Sequence, residues 1–367
     1  MNFSSIDHRC MASAFELAAH GLNTTHPNPR VGCVIARDGE IVGRGWHQKA
    51  GEAHAEIIAL ADAGIDANGA TVYVTLEPCN HTGTTPPCVD ALIEAKVARV
   101  VCALEDPNPE VSGEGLKRLH KAGIEVQEGL MTAQAEEQNA GFLMRMRKGR
   151  PWVRIKMAQS MDGHIALSNG SSKWISGPEA RADVQAWRAR SDAILTGIGT
   201  VLADDPSLNV RQGENPRQPL RVVADSHWRT PPDARLLGIE GEVLIAGLDQ
   251  ENIPARLAGS GAEFLRLPSL NDHVDLTHLL QALGSRGINE VQVEAGATFC
   301  GALIEQNLVD EILIYQAPLL LGGGAISPFA TPTLDNMDDR VHLKWIDSTR
   351  IGNDLRLRLS VHQATLG

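Results

Sequence analysis

The sequence predicts an α/β protein in two domains, each a sheet covered by helices. Three observations carry that reading. The chain has 367 residues, against about 150 for an ordinary domain. Apolar runs of strand length alternate with helical patterns along most of it, the pattern of a helix-covered sheet. In RMRKGRPW, Gly149 and Pro151 interrupt helical periodicity in a locally charged stretch, which divides the chain into residues 1–147 and 148–367.

The elements follow in order. Met11, Phe15 and Ala18 recur at helical spacing between Asp7 and His20, with Ser4 and Ser5 available as caps. VGCVIA and IVGRGW flank Asp38-Gly39, a hairpin signal, because Asp-Gly tolerates the left-handed backbone of a tight turn. A helix from about His54 stops near Gly64. The strand TVYVTL, a helix over Pro87 to Ala95, the strand RVVCAL, a helix over Glu114 to Lys121, the strand IEVQEG and one last amphipathic helix complete the first half. In the second half WVRIKMA, DAILTGI, PLRVVADS, EVLIAGL, NEVQVEAG and EILIYQA read as strands, with helices beginning near Pro178, Asp275 and Thr298.

Composition narrows the function classes. A formal charge of -12 opposes binding to long nucleic acids, which relies on clustered Lys and Arg. The N-terminus has no cationic stretch followed by an apolar core, and no window holds the roughly 18 apolar residues that span a bilayer. A cytoplasmic enzyme with a small substrate is the expectation. Six cysteines in so long a chain do not form a secreted disulfide framework, so a close pair points to metal binding or catalysis.

That pair is Cys79 and Cys88 in EPCNHTGTTPPC, and it joins His54 and Glu56 of HAE at a helix start. One His and two thiolates supply the three protein ligands of a catalytic zinc, leaving one position open. Zinc deaminases use this set with a glutamate that is not a ligand as proton shuttle, and Glu56 stands two residues from His54. Deaminases ordinarily space the cysteines C-x-x-C, whereas here eight residues intervene. A closed structural site with His81 as fourth ligand is the alternative. Cys10, Cys33 and Cys102 read as core residues, Gly322 to Gly324 as a loop, and the histidines outside the motif have no partner spacing.

Taken together, THPNPRVGCVI, GEAHAEIIAL and EPCNHTGTTPPC resemble the deaminase half of the bifunctional riboflavin-biosynthesis deaminase/reductase family, in which the longer cysteine loop is a distinguishing feature. KMAQSMDGHIA, SSKWISGPEAR, GIGTVLADDPSLNVR and VEAGATFCGALI resemble its reductase half in the same order. The resemblance implies an N-terminal cytidine-deaminase-like three-layer domain and a C-terminal dihydrofolate-reductase-like domain. It implies Zn2+ on His54, Cys79 and Cys88, Glu56 as proton shuttle, and Asn28 against the pyrimidine. Many relatives place Lys or Arg where Thr84 stands, so the substrate phosphate in the first site needs another cation.

No G-x-G-x-x-G follows the first strand of the second half, so a Rossmann site is not supported. By resemblance the cofactor is NADPH, touched by Ala158, Trp174, Thr200, Asp204 and Ser226. The turn from Gly296 through Ala297, Thr298, Phe299, Cys300 and Gly301 to Ala302 would hold a cofactor phosphate at a helix start. Ser172, Arg188, Leu208, Arg211 and Glu294 match substrate positions, and Lys156 is a further candidate for binding or proton supply. The implied reactions are hydrolytic loss of an amino group from a diaminopyrimidine and reduction of its ribosyl side chain. The expected partners are that small phosphorylated pyrimidine and further copies of the chain, in a homo-oligomer, with no nucleic acid and no membrane. Competing readings are a nucleoside or tRNA-base deaminase with a non-catalytic second half, and a structural zinc protein.

Overall fold

The computed structural model describes residues 3–80, 86–108, 112–213 and 217–362. They form two compact units that divide between Gly149 and Arg150.

In the first unit α1 (Ser5–Ala19) starts with a reciprocal capping box, Ser4 Oγ accepting from the Asp7 amide while the Asp7 carboxylate accepts from the Ser4 amide. The strands are β1 (Gly32–Arg37), β2 (Glu40–Trp46), β3 (Thr71–Val74), β4 (Arg99–Cys102) and β5 (Glu125–Glu128), and the helices α2 (Ala55–Ala63), α3 (Cys88–Glu94), α4 (Glu114–Lys121), α5 (Thr132–Gln138) and α6 (Ala140–Lys148). Sheet order is β2-β1-β3-β4-β5. β1 runs antiparallel to both β2 and β3, and β3, β4 and β5 run parallel.

Alternation along the strands decides the layers. Cys33, Ile35, Val72, Val74, Val100 and Cys102 pack with α2, α3 and α4. Val34, Ala36, Tyr73 and Val101 pack with α1 and α5 on the opposite face. Gly45 of β2 lets α2 lie close, since a Cβ there would stand 2.2 Å from the Ala55 carbonyl oxygen. That close seat places the start of α2, and with it His54 and Glu56, against the sheet.

The single helix expected before residue 149 is two helices, α5 and α6. At Asn139 the backbone leaves the helical region (φ -114, ψ 22). The Asn139 side chain explains the break: its Oδ1 accepts from the Arg30 amide at 2.8 Å and its Nδ2 donates to the Arg30 carbonyl at 2.9 Å. A buried amide bridging to a distant strand entry outweighs helical continuity.

The second unit is a nine-stranded sheet in the order β10-β9-β8-β7-β13-β6-β14-β16-β15. Its strands are β6 (Trp152–Ser160), β7 (Ala193–Gly197), β8 (Leu220–Ala224), β9 (Val243–Leu248), β10 (Glu263–Leu267), β13 (Glu290–Val293), β14 (Glu311–Ala317), β15 (His342–Ile351) and β16 (Asp354–His362), with a separate hairpin of β11 (Ser269–Leu270) and β12 (His273–Val274). Seven strands are parallel, and β15 and β16 add an antiparallel hairpin. Helices α9 (Leu276–Ser285) and α10 (Ala297–Glu305) cover one face, and α7 (Pro178–Arg190) and α8 (Ile198–Asp204) lie on the other. Strand order reverses between β7 and β6, where an open α/β sheet offers a crevice at its carboxyl ends. No helix among the described residues is long and apolar enough to cross a membrane.

Replacing Asn139 by Ala removes both bonds to the Arg30 backbone. The expected cost is about 2 kcal/mol, read as a lower urea midpoint for the first unit.

Candidate active sites

His54 is the N-cap residue of α2, with extended backbone (φ -74, ψ 162), so its imidazole leaves the helix start sideways. Cys79 lies in the turn after β3 and Cys88 opens α3 behind Pro86-Pro87. His54 Nδ1 stands 3.2 Å from Cys88 Sγ and 3.4 Å from Cys79 Sγ. The three donor atoms lie within 4.8 Å of one another. Two ligands on one tetrahedral zinc, at ordinary Zn–N and Zn–S lengths, stand about 3.5 Å apart. The donor set fits the ion in kind and in spacing. Among the described residues no fourth His, Cys, Asp or Glu joins the triplet; His81 and Thr84 lie outside them.

Charge at this site is set by burial and by the sulfurs. The Glu56 side chain is 3 % exposed. Burial, then the neighbouring Cys79 thiolate, push its carboxyl up to about 7. The Cys79 thiol is lowered, chiefly because Cys88 hydrogen-bonds to it, and Cys88 is raised through the same bond. A divalent cation held by these donors would favour both thiolates and add an opposing pull on Glu56.

Asn28 lies in the same unit, and its partner is a residue that sequence reasoning missed. His47 is buried, its Nδ1 is 3.2 Å from the Ala53 carbonyl and its Nε2 is 3.1 Å from Asn28 Nδ2. A carbonyl only accepts, so Nδ1 carries the proton and Nε2 accepts from the Asn28 amide. The ring meets His54 edge-on at 5.4 Å. His47 thus orients Asn28. The only signal in the sequence was a histidine at the end of the hairpin, with no spacing that tied it to the HAE motif.

In the second unit the carboxyl ends of β6, β7, β8 and β13 open into a cavity of about 1220 Å³. It brings together Lys156, Ala158, Ser172, Trp174, Arg188, Thr200, Asp204, Leu208, Arg211, Ser226 and Glu294. Gly296, Ala297, Thr298, Phe299 and Ala302 at the start of α10 also line it, whereas Cys300 and Gly301 do not. Cys300 is 1 % exposed. Gly301 faces Ala330, whose carbonyl oxygen would lie 2.6 Å from a Cβ. One helical turn cannot point seven consecutive residues into one cavity. Leu270, Asn271 and His273 of the β11–β12 hairpin line the cavity too, brought in because Ser226 Oγ accepts from the Val274 amide at 3.1 Å.

The cationic groups of the cavity differ in state. Arg188 is held in a two-pronged pair with Glu294, at 2.7 Å and 2.8 Å, and donates to the Asn209 carbonyl at 2.9 Å. Burial would raise the Glu294 carboxyl, but Arg188 outweighs it and brings it down to about 2. Lys156 sits 5.9 Å from the Tyr315 ring centroid, and burial lowers its pKa. Arg211 makes no ion pair among the described residues and keeps its charge available to an anion. Thr200 Oγ1 accepts from the Gly296 amide at 3.3 Å, which joins the starts of α8 and α10. The cavity therefore offers a free guanidinium and a helix start, both suited to phosphate.

Comparison with known proteins finds a family match for each half of the chain. Residues 4–104 match the model of the cytidine and deoxycytidylate deaminase zinc-binding region, and residues 151–357 match the RibD C-terminal domain. The riboflavin biosynthesis protein RibD of Escherichia coli (strain K12) is 48% identical over 365 residues, covering 96% of this chain and 99% of that protein. The chain belongs to the RibD family. The solved structure of Acinetobacter baumannii RibD, form 1, superposes with a TM-score of 0.89 at 44% identity, covering 98% of this chain and 99% of that one. A Thermotoga maritima structure, described as a diaminohydroxyphosphoribosylaminopyrimidine deaminase/5-amino-6-(5-phosphoribosylamino)uracil reductase, gives 0.85 at 30% identity over 97% and 99%. The chain is accordingly a bifunctional deaminase and reductase of riboflavin biosynthesis, with zinc and NADPH as cofactors and a pyrimidine nucleotide-like substrate. Its folds are cytidine-deaminase-like and dihydrofolate-reductase-like.

His54→Ala or Cys88→Ser should lower zinc from one per chain to well under half, measured by elemental analysis after dialysis. Glu294 gives a pH prediction. Its folded pKa of about 2 lies below the ordinary 4.5, so its stabilisation is complete above 4.5 and lost as pH falls toward 2. Glu294→Gln should cost stability at pH 7 and progressively less at pH 3 and 2, by urea unfolding at each pH.

Proposed function

We propose that the chain acts twice on one phosphorylated pyrimidine. Residues 1–147 hydrolyse the 2-amino group from 2,5-diamino-6-(5-phosphoribosylamino)pyrimidin-4-one. Residues 148–367 then reduce the ribosyl side chain, giving 5-amino-6-(5-phosphoribitylamino)uracil. The observation that carries the first step is a buried carboxyl, Glu56, beside the converging donors of His54, Cys79 and Cys88.

Zinc, when bound, supplies a Lewis acid that brings water to deprotonation near neutral pH. Glu56 receives a proton on its carboxylate and returns it to the departing amine, a task suited to a buried carboxyl beside the metal donors. Asn28, oriented by His47, donates or accepts at the pyrimidine edge and fixes which ring carbon faces the attack.

In the reductase half NADPH supplies the hydride. Ala158, Trp174, Thr200, Asp204, Ser226 and the start of α10 seat the cofactor. Arg211 pairs with the substrate phosphate, because Arg188 is already committed to Glu294. Glu294 then accepts from sugar hydroxyls, with Ser172 and Leu208 closing around the substrate, and Lys156 serves as the proton source beside the reduced carbon. Trp345 and Leu343 point to a homo-oligomer. They are 63 % and 44 % exposed on β15, an edge strand with open backbone groups, and a second copy covers such an edge at low cost. The expected location is the cytoplasm.

Glu56→Gln should lower deamination by at least about 100-fold while zinc content and reduction of the deaminated substrate stay unchanged. Deamination that survives this change removes the assigned role. Trp345→Glu should shift the chain to a smaller assembly in light scattering, and an unchanged mass excludes β15 as the contact.

A further inference from the structure

Glu77 is a buried carboxylate that neither reaction uses. It is 5 % exposed and pairs with no Lys or Arg among the described residues. An isolated buried charge is costly, so its compensation must lie in hydrogen bonds. Glu77 Oε2 accepts from the amides of Asp106 at 3.1 Å and Gly113 at 2.9 Å. Its Oε1 accepts from those of Gly115 at 2.9 Å and Leu116 at 3.4 Å. Gly115 and Leu116 belong to the first turn of α4, where amides have no partner within the helix, and Gly113 is its N-cap residue. A carboxylate far away in sequence therefore caps α4, and one oxygen draws both ends of the segment between β4 and α4 together.

The position of Glu77 gives this cap a second role. Only Pro78 separates it from Cys79, and Gly115 lies so close that a Cβ there would stand 2.3 Å from the Pro78 carbonyl oxygen. From the next turn of α4, Arg118 donates to Asn80 Oδ1 at 2.9 Å and also pairs with Asp90. Asn80 follows Cys79, and Asp90 lies two residues beyond Cys88. The same helix thus touches the chain on both sides of Cys79 and beside Cys88, the two segments whose sulfurs must stay in register with His54.

We propose that Glu77 is a positioning residue for the metal centre: by clamping the start of α4 it fixes the Cys79 turn relative to Cys88, and so governs how firmly the metal is held. This rests on the reading of His54, Cys79 and Cys88 as zinc ligands. Glu77 touches neither metal nor substrate and acts only through the turn. Outer groups that orient metal ligands typically carry about 10- to 100-fold in affinity.

The test uses the full-length zinc-loaded protein and 4-(2-pyridylazo)resorcinol as a coloured acceptor for released zinc. Glu77→Gln keeps the size but turns an NH2 toward two amide donors, and should release zinc about tenfold faster. Deaminase kcat should fall with KM changed less than about threefold, since the substrate contacts are untouched. Glu77→Asp keeps the charge but shortens the reach, and should give an intermediate release rate; it decides the matter if the Gln variant does not fold. A lower melting temperature with an unchanged release rate marks a structural cap only and overturns the proposal. If the unsubstituted protein carries no zinc, the ligand reading itself falls. If it carries zinc and both variants release it at the normal rate, the proposal alone falls.

Discussion

Three donor atoms from three separate segments must meet within 4.8 Å in the first unit, and much of its architecture serves that constraint. His54 stands at one helix start, Cys88 at another, and Cys79 in a strand-to-helix turn. Side chains at such junctions are aimed by the elements behind them, so the sheet sets the geometry rather than the loops. Glycine at position 45 brings α2 against β2, and Glu77 ties α4 to the Cys79 turn. Removing a donor leaves two of the three, whereas disturbing a support keeps every donor and changes only their register.

The second unit solves a different problem with related means. Its cavity lies where strand order reverses, and glycine-preceded helix starts supply open amides there without spending a side chain. Side-chain charge is then sorted by pairing. Arg188 and Glu294 neutralise one another and remain rigid, while Arg211 stays available. Among the cationic side chains that line the cavity, Arg188 is thus spent on a carboxylate while Arg211 makes no ion pair among the described residues and can meet an incoming anion.

Legibility followed burial pattern and local chemistry. The Asp38-Gly39 hairpin, the capped first helix and α4 could all be read, because turn residues, caps and apolar periodicity each acted locally. The His54, Glu56, Cys79 and Cys88 set was legible as a joint motif. The break at Asn139 was not, since its cause is a bond to Arg30 more than a hundred residues earlier. β15 was not read as a strand either: it is exposed on both faces for most of its length, so no apolar stripe marks it. His47 escaped because its value comes from Asn28 and Ala53, which only the fold brings beside it. The substrate and cofactor positions came from resemblance to a family, as no spacing distinguishes Leu208 or Ser172 from neighbouring loop residues.

The backbone amide of Cys88 donates to Cys79 Sγ at 3.4 Å, and no side chain caps α3 in the ordinary way. One sulfur is thereby asked to serve two neighbours, the metal and that amide, and a serine in its place would be too weak an electron donor for the first and too short for the second. Oxidation of that atom would weaken a metal donor and the acceptor of the Cys88 amide in a single chemical event.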